Sequence, residues 1–318
     1  MGSVACQIPS VSYAELRHCD EKIKAQAAST FVEALKAYGA CRIREHPIPQ
    51  RMIDNCFRKS TTFFDRPAWI KAGESKYVSG ARYVPFASEM IRGEAHLDET
   101  FEFQYEAYGG PRVPHISWKC PPYELRDACE YVHKECNRIH TTLLKAICSS
   151  LGLDQDPNLD LPGIHTSQYT YFAPYYYHFP EEHGQQTLRV PPHIDPTTLL
   201  FNFPDSLGGL KVADLRQVKG TLSAEAVSQT DEAAFIPVVC QPGEFVVLAG
   251  NVLRKLVGLG QGIKHSVHCV ERPVGSKGLH LNYWSLPDLD TVFGPDARRE
   301  SVRAYMARVY PSAFEDKE

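Results

Sequence analysis

The sequence lacks the features that mark membrane, secreted and nucleic-acid-binding proteins. No apolar run reaches the length of a membrane-spanning helix, and the first residues lack the basic region and apolar core of a signal peptide. The net charge of −4 at pH 7 gives no reason to expect binding to nucleic acid or to a membrane. We therefore expect a cytoplasmic protein, monomeric, whose partner is a small molecule.

Paired cysteines, internal repeats and low-complexity linkers are also missing. The 10 cysteines are isolated and form no C-x-x-C pair, which disfavours a zinc ribbon or a thioredoxin-like redox site. What is present is ordinary for a globular protein, with 43% hydrophobic and 23% charged residues. We expect one structural unit rather than separable modules.

Two kinds of periodicity alternate along the chain. Apolar residues at helical spacing predict helices over residues 21–38, 52–64, 122–153 and 297–310. Between them, short β-branched and apolar runs bounded by Gly or Pro predict strands, among them residues 196–203, 210–212, 236–239, 279–286 and the run that follows the Pro-Gly turn within 242–251. Many short strands of this kind indicate an antiparallel barrel or jelly roll.

A short His-x-Asp segment carries the main candidate site. His193 and Asp195 lie two positions apart on an extended segment, so both side chains point to the same side. A third imidazole from a later strand, His268 or the nearby His265, completes two histidines and one carboxylate. That set leaves open coordination positions on iron for O₂ and an organic ligand. The His-x-Asp spacing alone is weak evidence for a metal.

The order of the motifs PPHIDPTTLLF, GGLKV, PGEFVVLAGN, KHSVHCV and LHLNYWSLPD is much more specific. Together with the N-terminal segment ALKAYGACRI, this series resembles the isopenicillin-N-synthase-like family of Fe(II)/2-oxoglutarate-dependent oxygenases. The resemblance implies a mainly β fold with helices (α+β), a double-stranded β-helix (jelly-roll) barrel flanked by N-terminal and C-terminal helices. We expect residues 1–160 to form an N-terminal region packed on the barrel, 161–292 the oxygenase core and 293–318 a C-terminal helix and tail.

The resemblance also implies the metal ligands His193, Asp195 and His268. His268 fits the family's frame because Lys264 and Val270 flank it at the usual spacing, whereas a frame centred on His265 has no Lys in place. The gap between the two histidines is longer than usual, and the polar segment 216–233 accounts for the excess as a surface insertion. Because Asp195 is present, halogenation is disfavoured.

The cosubstrate contacts of the family are missing. The family's Arg-x-Ser pair falls on Gly278 and His280 here, and Phe172 falls where a Tyr is usual. An Arg suits this place because its guanidinium binds a carboxylate bidentately. Replacement anchors are Arg189, which shares the strand phase of His193 if no bulge intervenes, and Lys277. Tyr171 and His280 complete the set of cosubstrate-binding candidates.

The resulting hypothesis is an iron-dependent oxygenase that acts on a C–H bond of a small specialised metabolite. It uses Fe(II), O₂ and 2-oxoglutarate, and no separate protein acid or base is assigned. Alternatives are an oxidase that takes all its electrons from the substrate, a non-catalytic jelly-roll binding protein and, less favoured, a zinc hydrolase. Substrate-pocket candidates are Arg82, Tyr83, Tyr169, Phe172 and Trp284.

Overall fold

The fold is that of a computed structural model of the chain. It describes residues 7–75, 81–88, 90–91, 94–104, 123–156, 159–166, 169–177, 188–216, 235–272, 277–294 and 299–309. Nearly all of the polar segment 216–233 lies outside the described residues.

All four predicted helices are present, with bounds that shift by a few residues. The helices are α1 (Tyr13–Leu16), α2 (Glu21–Tyr38), α3 (Gln50–Phe64), α4 (Ala68–Ser75), α5 (Tyr123–Leu151), α6 (Asn251–Val257) and α7 (Val302–Val309). Helix α2 begins where the Asp20 side chain accepts the Lys22 N–H at 2.8 Å and ends at Gly39, whose φ is 64°. Within the described residues, no helix has both the length and the apolarity needed to cross a membrane.

The strands are short, as predicted, and several come from the N-terminal region. They are β1 (Ser10–Ser12), β2 (Ala40–Arg44), β3 (Ala81–Val84), β4 (Met90–Ile91), β5 (Glu94–Ala95), β6 (Asp98–Gln104), β7 (Thr170–Tyr177), β8 (Leu188–His193), β9 (Leu199–Pro204), β10 (Leu210–Ala213), β11 (Phe235–Pro237), β12 (Phe245–Ala249), β13 (His268–Glu271), β14 (Gly278–Ser285), β15 (Val292–Phe293) and β16 (Glu300–Ser301).

Two sheets form the layers of the jelly roll. The larger has the order β1-β2-β12-β9-β14-β7-β6-β3, and the smaller has the order β11-β10-β13-β8. One buried cluster contains side chains of both sheets, such as Leu200 and Trp284 from the larger and Val212 and Val270 from the smaller. The two sheets therefore face each other, and the space between them is called the interior below. The expected mainly β jelly roll with flanking helices is confirmed.

The larger sheet is covered on both faces. On its other side a second cluster joins its side chains to helices α2, α3 and α5, and this cluster is called the outer core. On β14, Leu281 and Tyr283 belong to the outer core, whereas Trp284 belongs to the interior. The Tyr283 hydroxyl donates to Asn137 of α5 at 2.8 Å, which fixes that side as the helix side. Strand phase thus decides which side chains can reach the interior.

Candidate metal centre in the jelly-roll interior

The two candidate histidines lie side by side on neighbouring strands of the smaller sheet. His193 ends β8 and His268 begins β13, and the two are partners in the antiparallel register. Their ring centroids are 4.2 Å apart. Cross-strand partners project from the same face of a sheet, so both imidazoles are directed to one point.

Asp195 brings a carboxylate to the same point from the loop after β8. Its Oδ1 is 3.7 Å from Nε2 of His193, and its Oδ2 is 3.3 Å from Nε2 of His268. The Asn251 N–H donates to the Asp195 carbonyl at 2.9 Å, which ties this loop to the start of α6. One ligand atom from each of the three side chains lies within 4.8 Å of the others.

The protonation states of these groups suit a divalent cation. His193 donates from Nδ1 to the Pro191 carbonyl at 2.9 Å, which leaves Nε2 available. Burial, followed by the neighbouring His268, lowers the pKa of His193 to about 3. Burial alone would raise the pKa of Asp195, but the adjacent His268 and His193 outweigh it and lower that pKa. Neutral imidazole and ionised carboxylate are the metal-binding forms.

One buried carboxylate oxygen indicates that a cation fits here. Asp195 Oδ2 is buried and, apart from the His268 imidazole 3.3 Å away, contacts no other polar partner in the described part of the chain. A buried carboxylate oxygen with so few partners is destabilising unless a positive charge compensates it. Two imidazoles and one carboxylate are the donor set that Fe(II) accepts while keeping coordination positions open. The residues present therefore fit the metal that the sequence predicted, and His193, Asp195 and His268 would hold it.

His265 does not join this group. It is buried in the loop before β13, where its backbone packs against the α2–β2 turn: a Cβ added to Gly39 would lie 2.7 Å from the His265 carbonyl carbon. Among the described residues, the possible metal group contains His268 and not His265. That His268 binds iron in preference to His265 stays a prediction.

His96 lies beside the centre, and no sequence motif marks it. Its ring centroid is 6.2 Å from that of His193, and its Nδ1 is 4.0 Å from Asp98 Oδ2. Burial lowers the pKa of His96 to about 4, although the Asp195 carboxylate opposes this shift. The site therefore has a neutral imidazole next to the three candidate ligands, and only the pairing of distant strands reveals it.

Aromatic side chains form one wall of the interior. Tyr171 and Trp284 are partners in the β7–β14 register, and their rings stack at 4.5 Å with an interplanar angle of 11°. The Tyr175 ring lies 5.2 Å from that of Trp284. The structure thus places the pocket candidate Trp284 and the cosubstrate candidate Tyr171 on this wall.

Phe172 does not line the interior, which corrects the expectation for this residue. It is fully buried in the outer core, on the opposite side of β7 from Tyr171. Side chains alternate along a strand, so Tyr171 and Phe172 cannot both face the interior. The missing Tyr hydroxyl inferred at position 172 therefore concerns the wrong face of the strand.

The other aromatic pocket candidates also lie elsewhere. Tyr83 packs in the outer core, and its hydroxyl donates to Glu99. Tyr169 packs against a small cluster that includes Tyr305 of α7. Both expectations are corrected, because tertiary packing and not local pattern sets these positions. Arg82 lies in β3 opposite Glu102 in the register, but its side chain is outside the described part of the structure.

Lys277 does not reach the interior. Its side chain is 67% exposed, and its Nζ lies 3.9 Å from Asp65 Oδ1 at the surface. The residue is adjacent to the expected Arg position but out of phase with it, so its side chain leaves the sheet on the other side. Its assignment as a cosubstrate anchor is therefore corrected.

His280 does face the interior, but both of its ring nitrogens are engaged. Nε2 donates to the Gly208 carbonyl at 3.0 Å, and Nδ1 lies 3.2 Å from the Asn202 side-chain amide. Burial, followed by the positive charge of Arg272, lowers the pKa of His280 to about 4. A neutral ring with this bonding supports the strand packing and offers no cation to a carboxylate.

Arg189 is fully buried, although the phase argument for it does not hold. The β8–β13 register shifts between His268 and Val270 and again between Val270 and Glu271, so the pairing of β8 contains the irregularities that the argument excluded. Near Arg189 the structure adds a residue that no motif singled out. Arg272, four residues after His268, is fully buried and donates from Nη2 to Asp205 Oδ1 at 3.0 Å.

The sequence is similar to that of known oxygenases along much of its length. Residues 8–119 match the family described as "non-haem dioxygenase in morphine synthesis N-terminal". The chain is 25% identical over 316 residues to the 2-oxoglutarate-dependent dioxygenase frbA of Dothideomycetidae sp., covering 90% of this chain and 87% of that protein. It is 24% identical over 328 residues to the 2-oxoglutarate-Fe(II) type oxidoreductase ppzD of Metarhizium majus, covering 93% and 86%.

Solved structures share the fold over nearly the whole chain. A full-length Neurospora crassa protein, solved in complex with alpha-KG, superposes with a TM-score of 0.75 at 18% identity and covers 97% of both chains. A putative 2OG-Fe(II) oxygenase family protein from Caulobacter crescentus gives a TM-score of 0.73 at 18% identity, with 96% of this chain and 99% of that one covered. These likenesses show the jelly-roll architecture.

Proposed function

We propose that the chain belongs to the 2-oxoglutarate/Fe(II)-dependent oxygenase family and that it oxidises a C–H bond of a small metabolite with Fe(II), 2-oxoglutarate and O₂. The reaction class is hydroxylation, desaturation or oxidative ring closure. One observation carries the proposal: His193, Asp195 and His268 converge on one point in the interior, with Asp195 Oδ2 buried beside the His268 imidazole.

The protein's own part is to hold the metal and shield the reaction. When bound, Fe(II) supplies the redox chemistry that activates O₂. The Pro191 carbonyl orients His193 so that Nε2 faces Asp195, and the Asn251 N–H holds the loop that carries this carboxylate. No acid or base separate from the metal centre is assigned.

The substrate class follows from the aromatic wall. In the interior, the rings of Tyr171 and Trp284 stack on each other, and the ring of Tyr175 lies tilted against that of Trp284. Such a wall favours a flat or largely apolar molecule, because aromatic rings contribute burial area and stacking. We infer that the substrate is a small specialised metabolite.

Several coarser features accompany this proposal. We propose a cytoplasmic monomer that binds neither nucleic acid nor membrane. We also propose that the N-terminal region 1–160, the core 161–292 and the C-terminal segment 293–318 act as one unit. That they act as one unit is supported by the sheet order, because N-terminal strands β2 and β6 pair directly with core strands β12 and β7.

Substitution of the third ligand tests the metal assignment. We expect His268→Ala to weaken Fe(II) binding by more than about 100-fold, beyond the loss seen when outer-sphere partners are removed. His265→Ala is the matched control, since it removes a buried imidazole three residues away and should leave bound iron unchanged. Anaerobic Fe(II) titration measures both, with thermal melting to verify folding. Iron retained in His268→Ala but lost in His265→Ala would reassign the ligand.

Oxygen consumption tests the reaction itself. The Fe(II) protein, supplied with 2-oxoglutarate and a panel of aromatic, terpenoid and amino-acid metabolites, should take up O₂ and form succinate with at least one of them. An absence of Fe(II)-dependent O₂ uptake across the panel, together with an absence of bound iron, would contradict the proposal and favour a binding protein.

A further inference from the structure

Arg272 carries a buried positive charge that is only partly compensated. Its side chain has 0% relative exposure. Nη2 donates to Asp205, but Nε and Nη1 are buried without a hydrogen-bond partner in the described part of the chain. Buried donors on a charged group are strongly destabilising when they are left unpaired. A second hydrogen-bond acceptor beside the guanidinium would therefore stabilise it.

Asp205 does not meet this need. Its Oδ1 also accepts the Leu207 N–H at 3.0 Å, and its Oδ2 accepts the Leu279 N–H at 2.6 Å. Its side chain is 19% exposed, whereas that of Arg272 is fully enclosed. Asp205 thus also binds the turn after β9 and the beginning of β14, and Nε and Nη1 of Arg272 keep no acceptor among the described residues.

Gly278 makes room for this guanidinium. A Cβ added to Gly278 would overlap Nη1 and Cζ of Arg272. Position 278 is the one at which the sequence resemblance expects the arginine of the Arg-x-Ser pair. The guanidinium supplied by residue 272 therefore lies where the side chain of residue 278 would begin.

Tyr177 packs against this guanidinium in the interior. It belongs to the interior cluster, and Arg272 Cζ lies 5.2 Å from its ring centroid. Burial raises the pKa of Tyr177, with further contributions from the carboxylates of Asp98, Asp205 and Asp195, while Arg272 opposes the shift. One tyrosine hydroxyl is therefore within electrostatic reach of both Arg272 and the candidate ligand Asp195.

A second buried guanidinium lies close by. Arg189 is fully buried, and its pKa is lowered by burial and then by the positive charge of Arg272. Two neighbouring guanidinium groups repel each other, and a carboxylate within reach of both would relieve that repulsion. The ligand chemistry that suits the place is the free carboxylate of a diacid.

We propose that Arg272, with Arg189 beside it, binds the distal carboxylate of 2-oxoglutarate and replaces an arginine at position 278. The inference rests on the proposed function, because it supplies the contact that the missing motif leaves open. It implies a marked preference for 2-oxoglutarate over a keto acid of the same length that lacks the distal carboxylate.

The test compares two keto acids in the anaerobic Fe(II) protein. Titration with 2-oxoglutarate and with 2-oxopentanoate is followed by the visible charge-transfer band of the bound keto acid. We expect the native chain to bind 2-oxoglutarate about 10- to 100-fold more tightly, the range of one or more charge-assisted hydrogen bonds. In Arg272→Met this preference should fall to near unity, with Fe(II) affinity and 2-oxopentanoate affinity unchanged.

Two further variants keep the test decisive. Gly278→Ala retains the charge but displaces the guanidinium, so it should reduce the same preference even if Arg272→Met fails to fold. Lys211→Met is the matched control, since it removes a half-exposed cation that pairs with the adjacent Glu271 and should leave the preference intact.

The possible outcomes separate the two proposals. A native band with 2-oxoglutarate and an unchanged preference in Arg272→Met and Gly278→Ala would overturn the Arg272 assignment and leave the proposed function standing. An equal loss of affinity for both keto acids would reduce Arg272 to a structural role and overturn the assignment as well. The absence of any band in the native protein would instead contradict 2-oxoglutarate as the cosubstrate.

Discussion

At the scale of single residues, the outer core contains a buried ion pair whose contribution to stability can be measured. Lys71 Nζ lies 2.6 Å from Glu99 Oε2 and donates to the Phe64 carbonyl at 2.9 Å, while the Tyr83 hydroxyl also donates to Glu99. We expect Lys71→Met to lower the free energy of unfolding by about 3–5 kcal/mol, because it leaves the Glu99 carboxylate buried without its cation. Urea denaturation measures the change.

The reference for this prediction is an exposed pair of the same chemistry. Lys24 and Glu21 approach to 3.2 Å, but their side chains are 44% and 79% exposed. Lys24→Met should change the free energy of unfolding by less than about 0.5 kcal/mol. The double variant Lys71→Met with Glu99→Leu should recover most of the lost stability. Equal effects of the two single Lys→Met substitutions would contradict the role of burial.

Single site residues could be predicted from the sequence where they are neighbours in the chain or belong to a recognisable series of motifs. His193 and Asp195 are neighbours on one segment, and the resemblance supplied His268. The strand phase of β7 leaves open whether Tyr171 or Phe172 faces the interior, because aromatic residues occupy both phases, and the structure places Phe172 in the outer core. The environment of Arg272 depends on contacts with Asp205 and Gly278, which lie on other segments of the chain and leave no local pattern.

At the scale of elements, the end of α2 is coupled to the segment that leads into β13. Gly39 has a φ of 64°, and an added Cβ would lie 2.6 Å from the Ser266 backbone nitrogen. We expect Gly39→Ala to lower the free energy of unfolding by more than about 2 kcal/mol, because backbone strain is joined by overlap with a fixed backbone. Thermal and urea unfolding both report this loss.

Gly152 serves as the control that separates backbone strain from overlap with a neighbouring backbone. Its φ is 69°, and nothing in the described structure lies within 4 Å of an added Cβ. Gly152→Ala should therefore show the strain alone, a loss of about 1 kcal/mol. If both variants lost the same stability, the close approach between the α2–β2 turn and Ser266 would have no energetic consequence.

Element boundaries were predictable to within a few residues, but strand irregularities were not. The helix predicted over 52–64 begins at Gln50, and the one predicted over 122–153 spans Tyr123–Leu151. The register shifts between β8 and β13 removed the basis for placing Arg189 in phase with His193. Such register shifts arise from pairing with a strand that is distant in the sequence, so the pattern of residues within 188–193 does not predict them.

The whole molecule contains many histidines buried in the neutral form. Burial lowers the pKa of His46, His133 and His165 to about 4, and that of His140 well below its ordinary value. In the unfolded chain these rings titrate near 6.5, so between about pH 6.5 and pH 4 unfolding takes up protons. We expect stability to fall progressively as the pH decreases through this window and to be insensitive to these groups above it.

The urea concentration at the unfolding midpoint, measured from pH 7.5 to pH 4, checks whether stability falls as the pH decreases. His133→Gln, which removes one buried imidazole outside the metal centre, should reduce the proton uptake on unfolding by about one in this window. Stability that stays constant between pH 7 and pH 5 would contradict the neutral state of the buried rings.

The overall architecture was predictable in class but not in strand order. Short strands and the ordered motifs indicated a jelly roll, and the structure has one. That β1 and β2 extend the larger sheet beside β12 did not follow from any pattern, because residues 40–43 pair with residues 245–248. The pairing of two strands so far apart in the sequence depends on how both faces of the larger sheet are buried. That burial is visible only in the folded protein.

The position of β14 between β9 and β7 has a consequence for biosynthesis. Strands β1, β2, β12 and β9 form one flank of the larger sheet, and β7, β6 and β3 form the other, with β14 as their common neighbour. Until residues 278–285 have left the ribosome, each flank exposes an unpaired edge to any other chain. The two flanks therefore stay open to intermolecular strand pairing until β14 emerges, and pairing between strands so far apart in the sequence is a slow step in folding.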